Sequence, residues 1–373
     1  MMDERMARMA LCALGHLGAP LIADRVETEG PVAVWKALNS DDAQPTAWAR
    51  RAAAIVPERI AEATQRCGAR FLIPDDPEWP DGIDLLTFAE VNGQKGRPFG
   101  LWVRGVPLPA MDEAVAIVGS RSATPYGQHV AVEMAADLAA EGRTIVSGLA
   151  FGIDAAAHRG ALSVGGITVA AVAGGVDRPY PAANASLASF IVRTGAVVSE
   201  LPPGHKPSRP GFLARNRLIA GMAGGLVVIE AALRSGAKNS AAWANELGRV
   251  VMAVPGAVTS AYSQTPHRLI RDGAAVLVTD ARDVRELLSP LGEVEEPSRR
   301  GEDTALDLLP DHLREIREAI DADEEVGAAT LAARIGVSTI ACLAGLGELS
   351  ERGWVEAGAD GWRLPRRRIP EAS

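Results

Sequence analysis

Short apolar runs recur between residues 114 and 280, and each is followed by a stretch with helical spacing. The runs are residues 114–118, 144–146, 168–173, 196–198, 226–229, 250–254 and 274–278. Continuous apolar strands that alternate with helices are typical of a mostly parallel sheet buried on both faces. The pattern therefore predicts an α/β domain, and residues 101–105 predict a further short strand ahead of the main sheet.

Different patterns flank this region. Residues 1–68 are rich in alanine and predict a helical domain, followed by the α/β domain at 69–291. Within the helical domain, residues 14–19 suit either a plain helical turn or the turn of a helix-hairpin-helix, whose backbone can hold a phosphate. A charged linker at 292–304 and a tail at 367–373 enclose a small domain at 305–366.

The small domain has the element order of a winged helix. Residues 312–320, 328–335 and 339–351 predict three helices, with Ser338 capping the third, and residues 354–364 predict a hairpin. The third helix has no Lys or Arg before Arg352 and carries Glu348 and Glu351. Because reading of the major groove relies on cations or amides, this helix favours contact with a protein over recognition of a DNA duplex.

Composition excludes several classes of function. The chain has 373 residues and a formal net charge of −9, so a nucleic-acid site must be a local basic patch. The three cysteines form no CxxC pair, which argues against a disulfide framework or structural zinc and fits a reducing cytoplasm. No apolar run approaches the ~20 residues of a membrane span. No P-loop, G-x-S-x-G or HExxH motif is present, and we expect no cofactor and no metal.

Candidate ligand contacts follow the apolar runs, because ligands of parallel sheets bind at the carboxyl ends of the strands. Small residues there let a ligand approach the backbone, and a helix N-terminus after the first run suits an anion. An ordinary strand-to-helix turn is the alternative. The candidates are Gly119, Ser120, Arg121, Ser147, Gly148, Gly152, Gly174, Gly175, Ser235 and Gly236.

A cationic segment lies between Glu200 and Glu230, where no acidic residue occurs. It contains Lys206, Arg209, Arg215 and Arg217, with Phe212 and Asn216 among them. Such a segment suits a polyanion held by its phosphates with a base stacked on the ring, although a solvated face is the alternative. We interpret residues 215–217 as a helix start, where two cations would oppose the helix dipole and call for an anion.

The spacing of Asp154 and His158 also permits two interpretations. Four residues apart on a predicted helix, they could face each other as an acid–base pair. Alternatively, Asp154 occupies the first helical turn and His158 fixes a neighbouring loop.

Taken together, the motifs resemble the DNA-processing protein A (DprA/Smf) family. They are AIVGSR at 116–121, SGLAFGIDAAAH at 147–158, FLARNRLIAG at 212–221, VIE at 228–230 with Ser235–Gly236, and AVPG at 253–256. The resemblance implies an extended Rossmann-like fold that binds single-stranded DNA, dimerises and loads the RecA recombinase during natural transformation, without catalysis. It also implies that the turn at 119–121 and the segment at 215–217 hold DNA phosphates, with Lys206 and Phe212 nearby. Lys238, which follows Ser235–Gly236 where the sequence departs from the family pattern, is a further candidate DNA contact.

Two other functions remain open at this stage. Gly174, Gly175 and Glu230 are also compatible with a nucleoside-monophosphate phosphoribohydrolase, although the Pro-Gly-Gly-x-Gly-Thr-x-x-Glu stretch of those enzymes is missing. The winged-helix pattern is compatible with a transcription factor. The acidic residues of the third helix argue against that function.

Overall fold

The computed structural model describes residues 2–15, 17–40, 46–289, 306 and 308–365. Internal contacts divide the chain into two compact units, Met1–Val294 and Glu295–Ser373, and each is described by itself. The predicted linker at 292–304, the predicted tail and His16 of the predicted 14–19 turn lie outside the described residues.

Twelve described helices belong to the first unit. They are α1 (Glu4–Ala13), α2 (Pro20–Glu29), α3 (Pro31–Leu38), α4 (Ala47–Ala52), α5 (Pro57–Arg66), α6 (Pro125–Ala140), α7 (Ile153–Ser163), α8 (Ala185–Thr194), α9 (Arg209–Gly221), α10 (Ala237–Glu246), α11 (Gln264–Arg271) and α12 (Ala281–Leu288). Three short 3₁₀ segments accompany them, at Asp81–Thr87, Ala182–Asn184 and Ala261–Ser263.

The strands of the same unit form one large sheet and a small hairpin. They are β1 (Arg70–Leu72), β2 (Glu90–Val91), β3 (Gln94–Lys95), β4 (Leu101–Gly105), β5 (Val115–Val118), β6 (Ile145–Ser147), β7 (Thr168–Ala171), β8 (Ala196–Ser199), β9 (Gly225–Val228), β10 (Val250–Ala253) and β11 (Val276–Leu277). The order in the large sheet is β1-β4-β8-β7-β6-β5-β9-β10-β11, while β2 and β3 pair with each other.

Seven neighbouring strands, from β8 to β11 across the sheet, are parallel. At one edge β4 pairs antiparallel with β8, and β1 pairs antiparallel with β4. The mostly parallel α/β prediction is therefore confirmed. Side chains of one strand alternate between the two faces: Val115 and Ile117 pack in one core, Ala116 and Val118 in the opposite one. The predicted strand at 274–278 shortens to Val276–Leu277, which lie half-exposed at the sheet edge.

Helices α1 to α3 and the strand β4 share one hydrophobic core. Leu11 and Trp35 pack in the same cluster as Phe71 and Trp102. The Trp102 indole donates a hydrogen bond of 2.8 Å to the Thr64 hydroxyl of α5. The N-terminal helices thus cover part of one sheet face.

The second unit contains α13 (Asp311–Glu318), α14 (Ala328–Ile335), α15 (Thr339–Glu351), β12 (Glu356–Ala357) and β13 (Trp362–Arg363). The Ser338 hydroxyl accepts a hydrogen bond from the Ala341 amide and caps α15. Strands β12 and β13 form an antiparallel hairpin, and Val326 bridges to Trp362. Three helices followed by a hairpin is the order on which the winged-helix prediction rests.

Within the described residues, no single helix has the length and apolar character needed to cross a bilayer. One bent pair, α14 with α15, meets those two criteria jointly, with an angle of 109° between its members.

Candidate nucleic-acid interface

The sheet has a topological switch point between β5 and β9. From β5 the chain proceeds through β6, β7 and β8 on one side, and β9, β10 and β11 lie on the other. Loops that leave neighbouring strands in opposite directions open a crevice at the strand ends, where ligands of such sheets bind. A cleft of about 860 Å³ lies at this point, lined by Gly119 to Ser122 after β5 and by Ala232 and Arg234 to Ala237 after β9. We call it the switch-point cleft.

Arginines dominate the charge of the cleft. Four line it: Arg121, Arg209, Arg215 and Arg234. The sole carboxylate among the lining residues is that of Asp154. The cleft is therefore locally cationic on a chain of net charge −9.

Two aromatic rings line the cleft near Arg121, the half-buried Phe212 and the exposed Tyr180. The Arg121 guanidinium carbon is 4.8 Å from the centroid of the Phe212 ring, in a cation–π contact. The Tyr180 ring is 5.7 Å from that of Phe212 and tilted by 55°. Tyr180 is 52% exposed, so the edge of the cleft presents aromatic surface beside positive charge.

The floor of the cleft holds a buried ion pair with unused hydrogen-bonding capacity. Arg215 is 6% exposed, and its Nη1 lies 3.6 Å from Asp154 Oδ2 and donates to the Ala171 carbonyl at 3.3 Å. Its Nε has no hydrogen-bond partner among the described residues. Burial lowers the pKa of Arg215 and raises the pKa of Asp154 because it disfavours both charged forms. An anion at Arg215 would supply the missing acceptor.

A polar layer lies beneath Arg215 and Asp154. His158 is fully buried, and its Nδ1 is 2.7 Å from the Thr168 hydroxyl, which donates to the Ile145 carbonyl. Since that hydroxyl proton is already used, Nδ1 carries the proton that joins His158 to Thr168. Burial, with the charge of Arg215, lowers the pKa of His158 to about 3. Asp154 occupies the first turn of α7, as the second interpretation has it. His158 is a neutral anchor between α7 and β7 and fixes a strand, where that interpretation expected a loop.

Glu230 is engaged in holding the first loop. Its carboxylate accepts hydrogen bonds from the Thr124 amide at 2.9 Å and the Thr124 hydroxyl at 2.6 Å, while its carbonyl accepts from the Ser120 amide. Thr124 caps α6, so Glu230 also places negative charge at a helix N-terminus. This residue is 3% exposed, and its oxygens serve the loop.

Most glycines at the strand ends are required by neighbouring protein atoms, and not by a ligand as the sequence analysis predicted. A Cβ on Gly148 would lie 1.2 Å from Arg215 Nη1, and one on Gly152, at φ 74°, would lie 2.2 Å from the Ser120 carbonyl. Gly119 and Gly174 are likewise pressed against neighbouring protein, whereas Gly236 faces open space. Most of these small residues let loops and Arg215 pack closely; they do not leave room for a ligand.

Arg217 does not reach the cleft. It is fully buried and forms two hydrogen bonds of 2.6 Å to the Glu200 carboxylate, with further bonds to the carbonyls of Gly96 and Ala214. The predicted helix start at 215 is also wrong: α9 begins at Arg209, capped by Ser208 and with Pro210 in its first turn. Residues 215 and 217 are therefore mid-helix, about 200° apart around the axis, so they face opposite sides.

Half of the predicted site residues line the cleft together. They are Gly119, Ser120, Arg121, Phe212, Arg215, Asn216, Ser235 and Gly236. The others are placed outside its lining. They are Ser147, Gly148, Gly152, Gly174, Gly175, Lys206, Arg217 and Lys238.

Several cleft residues escaped the sequence-based set. Arg209 and Arg234 line the cleft and are exposed. Arg209 lies in the predicted cationic segment but is not among the candidate contacts, whereas nothing in the sequence around Arg234 distinguishes it from a surface arginine. Asn184 is buried and supports the loop after β6. Its side-chain amide donates hydrogen bonds to the carbonyls of Leu149, at 3.0 Å, and Ala150. Leu149 has a φ of 59°, which costs energy in a non-glycine residue, so Asn184 helps hold the loop after β6 in place.

Fold and cleft define a Rossmann-like α/β protein whose candidate site lies at the topological switch point. Residues 70–289 match the family model of DNA recombination-mediator protein A. The DNA processing protein DprA of Mycobacterium tuberculosis is 47% identical over 322 residues, which cover 80% of each chain. Protein Smf of Escherichia coli is 36% identical over 306 residues, covering 79% of this chain and 78% of its own. The chain belongs to the DNA recombination-mediator protein A family.

Two solved structures resemble this fold. The X-ray structure of DNA processing protein A from Streptococcus pneumoniae has a TM-score of 0.63 and 30% identity, covering 80% of this chain and all of its own. DNA processing protein A from Helicobacter pylori, described for its single-stranded DNA binding mode, has a TM-score of 0.50 and 26% identity, covering 58% of this chain and 94% of its own.

Proposed function

We propose that the protein binds single-stranded DNA in the switch-point cleft and loads the RecA recombinase onto that strand during natural transformation. It acts in the cytoplasm as a homodimer and catalyses no reaction. The observation that carries the proposal is the grouping of Arg121, Arg209, Arg215 and Arg234 around one cleft. The relative from Helicobacter pylori, whose single-stranded DNA binding mode is known, supports it.

In this proposal, the exposed arginines hold phosphates and the aromatic rings stack bases. Arg121, Arg209 and Arg234 are exposed and can follow a flexible backbone. Phe212 and Tyr180 offer ring faces that suit any base, so binding is sequence-tolerant. Arg215 lies deeper and meets whichever phosphate or base edge enters the floor.

The surroundings of Glu230 and His158 support a binding role over the phosphoribohydrolase alternative. The carboxylate of Glu230 is committed to Thr124, and His158 is neutral and buried. Neither is presented to the cleft as a free acid or base. Release of free base from nucleoside monophosphates that is lost in Glu230→Gln would reverse this preference.

Titration of a labelled oligothymidine by fluorescence anisotropy tests DNA binding. We expect tight binding, and the logarithm of the binding constant should fall linearly with the logarithm of the salt concentration. The steepness of that line should decrease by about 0.7 for each phosphate contact removed. Arg121→Ala and Arg209→Ala should each weaken binding and reduce the slope. Arg66→Ala, on the exposed side of α5, is the matched control and should change neither. Wild-type affinity in both cleft variants would refute the site.

Recombinase loading is tested separately. We expect the protein to accelerate RecA filament formation on strands already covered by a single-strand-binding protein. Arg121→Ala should reduce that acceleration in proportion to its lost DNA affinity. An acceleration that persists without DNA binding would disconnect the two activities.

A further inference from the structure

The outer side of α15 presents an apolar stripe to solvent. Ile340 is 83% exposed and Leu343 is 48% exposed. With Ala344 and Gly347 they follow the i, i+3, i+4, i+7 spacing of one helix face. The opposite side packs in the core of the second unit through Cys342, Gly345, Leu346 and Leu349. A helix that is apolar on both sides is normally covered on both sides.

The charges of α15 argue against a nucleic acid as the binding partner of this stripe. No Lys or Arg lies in α15, and its last turns carry Glu348 and Glu351. Arg352, the residue that follows α15 in the sequence, pairs with Glu348 at 2.6 Å. A phosphate backbone would meet no positive partner on this stripe and would meet acidic side chains at its end.

We propose that the α15 stripe is a contact between two copies of this chain, with the two α15 helices packed antiparallel. In an antiparallel pair centred between Leu343 and Ala344, Leu343 lies opposite Ala344 of the second copy. In the same register Ile340 lies opposite Gly347 of the second copy. Each large side chain thus meets a small one, which lets the helix axes approach closely. The pattern is self-complementary, as a two-fold contact requires.

Electrostatics favour the same arrangement. Glu351 continues the stripe one turn beyond Gly347, so in this register it lies level with the start of the second copy's helix. The N-terminus of a helix carries partial positive charge and attracts a carboxylate. The two-fold axis repeats this attraction at the other end. Antiparallel packing also sets the two helix dipoles in opposite directions.

Site-specific crosslinking of the full chain tests the register. Ile340→Cys and Gly347→Cys variants with different affinity tags are mixed and oxidised without DNA. We expect mixed 340–347 disulfides at several times the yield of 340–340 or 347–347 disulfides. Wild type, whose three cysteines are buried or half-buried, gives the background. Equal yields for all pairs, or a preference for like pairs, would overturn the antiparallel contact.

Maleimide labelling of the Ile340→Cys variant identifies which molecule packs against the α15 stripe. If a second copy covers the stripe, labelling should slow several-fold as the protein concentration rises, and Leu343→Glu should abolish the slowing. Circular dichroism of the Leu343→Glu variant checks that it is folded. Protection that depends on added duplex DNA or lipid vesicles, and not on protein concentration, would contradict the proposal.

This inference locates one surface of the proposed homodimer and does not depend on DNA binding. A chain that sediments as a monomer at the crosslinking concentration would remove the homodimer itself. A dimer without 340–347 crosslinks would remove only this surface. Loss of single-stranded DNA binding would leave both unchanged.

Discussion

On α9, the side that carries Arg217 is closed, whereas the side that carries Arg215 opens onto the cleft. Arg217 has two short bonds to Glu200 and two carbonyl acceptors. Arg215 has a 3.6 Å contact with Asp154 and an unpartnered Nε within the described residues. Both guanidiniums are buried, so exposure does not separate them. The difference is how completely the protein satisfies each one.

Complete satisfaction of Arg217 indicates a structural role, whereas Arg215 lines the cleft and keeps a donor without an acceptor among the described residues, which indicates a place for a ligand. A buried donor without an acceptor costs about 1–3 kcal/mol, which the protein could have avoided with a nearby carbonyl. At Arg215 this cost is offset if an anion binds. At Arg217 the protein itself engages all three nitrogens through Glu200, Gly96 and Ala214, using four of the five N–H donors, and the side chain lies outside the cleft lining.

The largest expected effect is on the closed side. Arg217→Ala removes both 2.6 Å hydrogen bonds from the guanidinium to the buried carboxylate of Glu200, so we expect a loss of about 3–5 kcal/mol in the free energy of unfolding. Urea unfolding measures it. Arg209→Ala, at the exposed start of the same helix, should leave stability nearly unchanged. A stable Arg217→Ala protein with weakened DNA binding would reverse the assignment of the two sides.

The next effect is on the open side and concerns DNA affinity. Arg215→Ala removes a charged donor from the cleft floor, so we expect single-stranded DNA to bind about 10–100-fold more weakly, corresponding to about 1.5–3 kcal/mol. Anisotropy titrations at two salt concentrations measure it. Stability should fall less than in Arg217→Ala, because burial already raises the pKa of Asp154 and its carboxyl can take up a proton. Equal DNA affinity in Arg215→Ala and wild type would contradict the ligand role.

The polar layer beneath Arg215 predicts a pH dependence of stability. His158 has a pKa of about 3 when folded and about 6.5 when unfolded, so acid protonates the unfolded chain first. The contribution of neutral His158 to the free energy of unfolding is fully present above pH 6.5 and is lost as the pH falls toward 3. At pH 5 the loss is about 2 kcal/mol, from 1.36 kcal/mol per pH unit.

Urea unfolding at pH 7 and pH 5 isolates this contribution. His158→Gln should show a difference between the two pH values that is smaller than wild type by about 2 kcal/mol. His129→Gln, whose ring is exposed on α6, should match wild type. An unchanged pH difference in His158→Gln would mean that His158 titrates normally in the folded chain.

The closed and open sides of α9 also show what sequence can and cannot predict. The apolar runs predict a buried, mostly parallel sheet, and the structure confirms it apart from the run at 274–278, which forms the half-exposed edge strand β11. Of the cationic segment between Glu200 and Glu230, Arg209 and Arg215 line the cleft together, whereas Lys206 and Arg217 do not. The sequence could not separate Arg215 from Arg217, because the separation depends on Gly96, Glu200 and Asp154, which are distant in sequence.

The glycines illustrate a second limit. A glycine after a strand signals a close approach, but the sequence does not say what approaches. At Gly148 it is the Arg215 guanidinium, and at Gly152 it is the backbone of residues 120 and 121. Only coordinates distinguish a protein neighbour from a ligand.

The smallest effect concerns the aromatic edge of the open side. Tyr180→Ser should weaken single-stranded DNA binding by about 1 kcal/mol, the lower end for one stacked base, because Phe212 still offers a ring. Tyr180→Phe keeps the ring and should bind like wild type. Phosphate contacts are not involved, so the salt dependence should match wild type in both variants.

An abasic oligonucleotide separates stacking from indirect effects. It keeps the phosphates and removes the base faces, so Tyr180→Ser and wild type should bind it equally, whereas Arg215→Ala should still bind it more weakly if its partner is a phosphate. If Tyr180→Ser weakens the abasic strand as much as the normal one, Tyr180 acts by positioning Arg121 and Phe212. The open side of α9 would then hold DNA by charge alone.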